Sequence, residues 1–214
     1  MFAGDRVVVR YRLAPGAPGD WRGAGDATVS DVTGVVAGVE PDALVLTRVA
    51  PAALASADRV RVPRELITSV RLLPYRAVRN NEIRDVALRA MDAPDTATVD
   101  RWLARAGGAV GIDLASAVPA ALGARLDGAA VDALRDWYAA RGLPAVVELP
   151  ERLVPGAEAG TPVGGEFHRL VRVDDDGAES DIVTVSADDS ERGAALRADG
   201  FALHHRVTYR HLDG

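Results

Sequence analysis

The 214-residue sequence has no cysteine and no lysine, and few aromatic rings: three tryptophans, three phenylalanines and four tyrosines. Without cysteine there can be neither disulfides nor thiolate metal sites, which excludes a secreted disulfide scaffold. No apolar run approaches the roughly 20 residues that a membrane-spanning helix needs. The opening Met1–Arg6 lacks a basic stretch followed by an apolar one, so no secretion signal is read there. A cytoplasmic protein without membrane contact is therefore expected. All 25 basic residues are arginine, a bias from which no chemistry follows.

Hydrophobic residues make up 48% and charged residues 26%, the balance of an ordinary globular chain. The formal net charge is −6, and it is unevenly spread. Residues 1–79 carry 11 arginines against 8 acids, whereas residues 80–214 carry 14 against 23. Binding to nucleic acid needs cations clustered on one face, so the acidic C-terminal part argues against such a partner. Arg59, Arg61, Arg64, Arg71, Arg76 and Arg79 are the candidates for a basic edge in the N-terminal part.

Val7, Val9, Tyr11 and Leu13 alternate with Arg6, Val8, Arg10 and Arg12, the period of a half-buried strand. Further strands are predicted over 28–39, 43–48, 58–62 and 67–72, parted by turn signals at Glu40-Pro41-Asp42 and Pro51-Ala52. Five short strands in about 75 residues suggest a small closed or nearly closed barrel. The stretch from Val62 to Ile67 resembles the 3₁₀ turn before the last strand of SH3-like barrels. Recognition of proline-rich peptides needs a groove floored by several rings, and only Tyr11 and Trp21 lie near the relevant loop.

The period changes after Pro74. A helix with its N-cap at Asn80 or Asn81 fits Ile83, Val86, Ala87, Ala90 and Met91. Strands are predicted over 98–105 and 112–118, then a helix over 129–141 introduced by Asp127, then a strand over 144–149. Residues 150–165 read as a linker or loop. A hairpin over 167–173 and 181–185, a helix opening at Asp188-Asp189-Ser190 and ending at Gly200, and a last strand over 201–210 complete the chain.

Three stretches carry a resemblance. They are Trp102-Leu103-Ala104-Arg105-Ala106-Gly107-Gly108 with Ser116-Ala117-Val118-Pro119; Asp136-Trp137-Tyr138-Ala139-Ala140-Arg141-Gly142-Leu143-Pro144; and Gly200-Phe201 with His204-His205-Arg206 and Tyr209-Arg210. Together they resemble bacterial GNAT-family N-acetyltransferases that carry an SH3-like barrel before the catalytic domain. The resemblance implies an all-β SH3-like barrel over 1–74, a GNAT-like α/β part with a mixed sheet over 75–155, and a remnant of the GNAT C-terminal part over 166–214. It also implies transfer of an acetyl group from acetyl-CoA to an amine.

Acetyl transfer of this kind needs backbone amides at a helix mouth for the coenzyme diphosphate, in a loop of the form R/Q-x-x-G-x-G/A, and often a tyrosine acid. The loop pattern occurs from Arg22 to Ala27, within the barrel, and from Arg197 to Ala202, closing a helix. Neither is in the context the coenzyme requires. By count from Gly200-Phe201, Asp189 replaces an asparagine and Leu196 replaces the tyrosine. Asp113-Leu114-Ala115 stands where the family has an Arg-Ala-Asn-like triplet before Ser116. The resemblance leaves the catalytic residues unassigned and points to Asp189 and Ser190 as coenzyme contacts. Two readings stand: an acetyltransferase-like protein with a degenerate site, or a binding or regulatory protein that uses the barrel or an exposed sheet edge for a partner, including a second copy of itself.

Other constellations read as structural. His204 and His205, adjacent on a strand, are expected on opposite faces, where they cannot share one ion. His168 has no evident carboxylate partner. Asp174-Asp175-Asp176-Gly177 lacks the spacing of a calcium loop, and Ser116 lacks a nucleophile elbow. Trp102, Trp137 and Tyr138 read as core.

Overall fold

Valine and arginine alternate from Arg6 to Arg12, and in the computed structural model, which describes residues 3–13, 27–48, 58–107, 115–174 and 177–212, this segment is strand β1 with Val7 and Val9 buried. It lies inside a five-stranded sheet with β2 (Val29–Val39), β3 (Ala43–Arg48), β4 (Arg59–Pro63) and β5 (Ile67–Leu72), in the order β4-β3-β2-β1-β5. Every pairing in it is antiparallel. Val7, Val9, Val32, Val36, Leu44, Leu46 and Val62 form its core, and a 3₁₀ turn over Arg64–Leu66 leads into β5. This sheet belongs to the first of two compact units, Met1–Arg76; the second is Ala77–Gly214.

The second unit holds α1 (Asn80–Arg89), β6 (Asp95–Val99), β7 (Trp102–Ala106), β8 (Ser116–Pro119), α2 (Gly128–Ala139), β9 (Val146–Pro150), β10 (Thr161–Val173), β11 (Glu179–Ser186), α3 (Ser190–Ala198) and β12 (Phe201–His211). Its seven strands form one sheet in the order β11-β10-β12-β9-β8-β7-β6. Only β8 and β9 run parallel; α2 carries the chain between them. The chain as a whole is mostly β-sheet, with three α-helices among the described residues.

The two faces of this sheet differ. On one face α2 lays Ala130, Val131, Leu134 and Tyr138 on Trp102, Ala104, Ala117 and Val147, an apolar core. Arg105 follows Ala104 on the strand and so points to the other face, where its Nη1 donates to the Ala87 carbonyl of α1 at 3.1 Å. That second face is where the buried charges gather.

Three expectations need correction. The predicted strand over 98–105 is a hairpin, β6 and β7, with Val99 opposite Trp102 and a turn at Asp100-Arg101. Asp100 has φ 52°, a left-handed conformation that aspartate tolerates better than most residues, so no glycine marked the turn. The strand predicted to start at residue 167 starts at Thr161, because a register shift between Val163 and Phe167 absorbs Gly164-Gly165 inside a continuing ladder. The described part of the strand predicted over 112–118 is Ser116–Pro119; residues 111–114, with Asp113 and Leu114, lie outside the described residues. The pattern from Arg22 to Ala27 also falls outside them, apart from Ala27.

Candidate functional site

Strands β8 and β9 pair at two positions only, Ser116 with Val146 and Ala117 with Val147, although both continue. Beyond that point each turns to its other neighbour. Leu103 and Trp102 pair with Val118 and Pro119, while Tyr209, Thr208 and Val207 pair with Glu148, Leu149 and Pro150. Pro119 and Pro150 have no N–H to offer a ladder, which helps end the pairing. The parting of two parallel strands at their carboxyl ends is where open α/β sheets hold ligands. A crevice of about 540 Å³ lies there, lined by Gly123 to Asp127 before α2 and Leu153 to Ala157 after β9. A smaller polar pocket of about 370 Å³ shares Gly123, Arg125 and Asp127 with it and adds Asp100 and Arg101.

Charge in this crevice is mixed. Arg101 Nη1 donates to the Leu122 carbonyl at 2.9 Å, which pins the β8–α2 loop. The exposed Arg125 guanidinium has no hydrogen-bond or ion-pair partner among the described residues, though the Arg125 carbonyl accepts from the buried Trp102 indole at 3.0 Å. Asp127 is the N-cap of α2, its Oδ1 accepting from Ala130 N at 3.1 Å. A carboxylate therefore already sits on the free amides of that helix.

The other two helix mouths also carry carboxylates, at α3 on the N-cap as in α2 and at α1 on the third residue of the helix. Glu82 of α1 accepts from Arg79 N, and Asp189 of α3 accepts from Arg192 N at 3.0 Å. The residues assigned to the coenzyme, Asp189 and Ser190, are thus the N-cap and first residue of α3, both exposed, with Asp188 and Glu191 beside them. Neither lines the crevice. The pattern from Arg197 to Ala202 closes α3, with Gly200 at φ 86°, and so stands at the carbonyl end of the helix.

On the opposite face from α2, a chain of buried polar groups crosses the sheet. Arg105, Glu148 and Arg169 are each no more than 1% exposed. Arg105 Nε donates to the Ser116 carbonyl at 3.0 Å, and its Nη2 donates to Glu148 Oε2 at 3.1 Å. Arg169 Nη2 stands 2.8 Å from Glu148 Oε1, an ion pair outside good hydrogen-bond angles, and 3.4 Å from the Tyr209 hydroxyl. Glu148 therefore bridges two guanidiniums. Ser116, fully buried with its Oγ 3.5 Å from Arg105 Nη2, is part of this network and is not an accessible nucleophile.

His204 and His205 do not lie on opposite faces. Arg169 pairs with His205 and Leu170 with Leu203, so His204 is the extra residue of a β-bulge. A bulge breaks the alternation of side chains, and here it brings the two Nδ1 atoms within 2.7 Å of each other. His168 also gains a neighbour that the sequence reading missed: Glu166 Oε1 lies 3.6 Å from its Nε2. Burial still pushes His168 below its ordinary pKa. Of the basic edge, Arg61 is held by Glu40 at 3.1 Å and Asp42 at 2.7 Å. Asp174 closes the acidic turn by accepting from Ala178 N at 2.7 Å; Asp175 and Asp176 lie outside the described residues. No group of three or more potential metal ligands occurs among the described residues. No helix among them is long and apolar enough to cross a membrane.

The sequence reading singled out neither Glu148 nor its two arginines. The signal was available: a lone carboxylate inside the apolar run from Ala145 to Pro150, and an arginine inside each of two other buried strands.

A family model described as "Probable histone acetyltransferase Rv0428c C-terminal" matches residues 78–175. The match takes in α1, the parting strands, the crevice, Glu148 and both of its arginines; it stops before β11, α3 and β12. No curated protein and no solved structure matches the chain.

Proposed function

We propose that the second unit is an acetyltransferase-like scaffold of the GNAT type that keeps the crevice between its parallel strands as a binding site but lacks the clamp for a coenzyme diphosphate. The family match and the parting of β8 from β9 support the scaffold. The strand order β4-β3-β2-β1-β5, with a 3₁₀ turn before β5, supports an SH3-like barrel in the first unit. The domain limits that follow are 1–74 for the barrel, 75–155 for the first acetyltransferase-like part and 166–214 for the remnant of the second. On this reading the protein is a cytoplasmic binding or regulatory protein, and its partner is an amine-bearing molecule or another polypeptide.

The observation that carries the reading is the Asp127 carboxylate on the amides at the mouth of α2, at the edge of the crevice. Acetyl-CoA brings a diphosphate, which needs free amides and positive potential. The described residues do not fit that group, since all three helix mouths carry carboxylates. Asp100 and Asp127 instead offer carboxylates to an ammonium group.

Calorimetric titration with acetyl-CoA tests the proposal. At millimolar ligand we expect no heat of binding and no shift in melting temperature. Asp127→Asn keeps a competent cap and removes the charge, so if the carboxylate is what excludes the diphosphate, this variant binds the coenzyme more tightly than the parent does. Saturable binding by the unmodified chain would overturn the reading.

A further inference from the structure

The bulge at His204-His205 has chemistry of its own, apart from the crevice. With 2.7 Å between the two Nδ1 atoms, one proton lies between the rings, donated by one imidazole and accepted by the other. Glu179 decides which. Its Oε1 lies 3.6 Å from His204 Nε2, too long for a good hydrogen bond but close enough to favour a proton on that nitrogen. Neutral His204 then accepts at Nδ1, His205 donates from its Nδ1, and the remaining lone pair sits on His205 Nε2.

That lone pair is the site where acid acts. His205 is fully buried, and its Nε2 has no hydrogen-bond partner among the described residues. The groups facing it come from several elements. Arg169 on β10 and Arg152 after β9 are positive, and both disfavour a charged His205. Glu148 on β9 is already engaged by Arg105 of β7 and by Arg169. Tyr209 of β12 stands beside Arg169, and Glu179 of β11 faces His204. Three guanidiniums thus oppose two carboxylates before any proton arrives.

We propose that the His204-His205 bulge is an acid-sensitive latch: while His205 is neutral it packs opposite Arg169 of β10 and keeps β12 seated in the sheet, and uptake of a proton at His205 Nε2 sets two positive charges side by side and loosens β12 from the β10–β11 hairpin. A proton there adds a charge beside two arginines in a site closed to water. Burial, Arg169 and His204 all hold His205 well below its ordinary pKa in the folded chain. In the opened chain it returns to about 6.5. The open state therefore binds the proton first, and stability is lost as pH falls below about 6.5.

Hydrogen exchange and histidine NMR on the full chain between pH 8 and pH 5 test the latch. We expect the His205 ring resonances not to titrate near pH 6.5. Over the same range, amide protection in β10, β11 and β12 should fall by up to about tenfold per pH unit below ~6.5, as one proton linked to opening requires, while β1 to β5 keep theirs. In His205→Gln the local loss should largely vanish. A His205 titrating at an ordinary value, or protection in β10 to β12 that does not change with pH in the parent chain, would each overturn the proposal. Both readings come from the unmodified protein, so they decide the matter even if the variant folds poorly.

Discussion

Glu148 holds together the charges on the sheet face opposite α2, because each of its oxygens meets a different buried guanidinium. A buried ion pair adds little net stability compared with an apolar replacement, but removing one partner leaves the others charged and dry. Glu148→Gln strands two arginines at once. We expect it to cost about 3–5 kcal/mol, on the scale of breaking a buried pair, and to lower the thermal midpoint by several degrees in differential scanning calorimetry. Little change would mean that the arginines are hydrated in solution. At this scale the sequence was half legible: the lone Glu148 in an apolar run invited the question, whereas the meeting of His204 with His205 did not. Strand periodicity predicts opposite faces, and only the pairing register with β10 reveals the bulge.

Whole elements were more legible. Residues 43–48 and 67–72 form strands as the alternation requires, and Asp127 caps α2 as its position before the apolar stripe suggests. The hairpin of β6 and β7 was hidden because its turn contains neither glycine nor proline. The segment before β10 looked like a linker because its order comes from elsewhere: Arg210 of β12 donates to the carbonyls of Glu158 and Gly160, both at 2.9 Å. Gly160 has φ 79°, and a Cβ there would overlap the His211 carbonyl oxygen. Gly160→Ala combines left-handed strain with a backbone clash. We expect a loss of about 2 kcal/mol or more, read by chemical denaturation; a value near zero would show that the loop can move away from β12.

At the scale of the whole molecule, the strand order could not be read from the sequence. Local patterns give strands and helices, but the place of β12 between β9 and β10 rests on pairings between residues about 30 to 60 apart in the chain. Net charge, by contrast, is a property of the sequence alone. With −6 overall and Arg61 tied to Glu40 and Asp42, the protein should pass unretained through a heparin column at physiological ionic strength. Retention that declines with added salt would point to a cationic face that these ion pairs fail to neutralise.

The position of β12 also bears on how the protein is made. The seven-stranded sheet is joined by β12, which follows its six other strands in the chain, so during translation β9 and the β10–β11 hairpin leave the ribosome before the strand that unites them. Their facing edges stay open until Phe201–His211 emerges. A nascent chain stalled before Phe201 would hold the two parts of the sheet unjoined, and the interval before that strand appears is when the sheet most needs a chaperone.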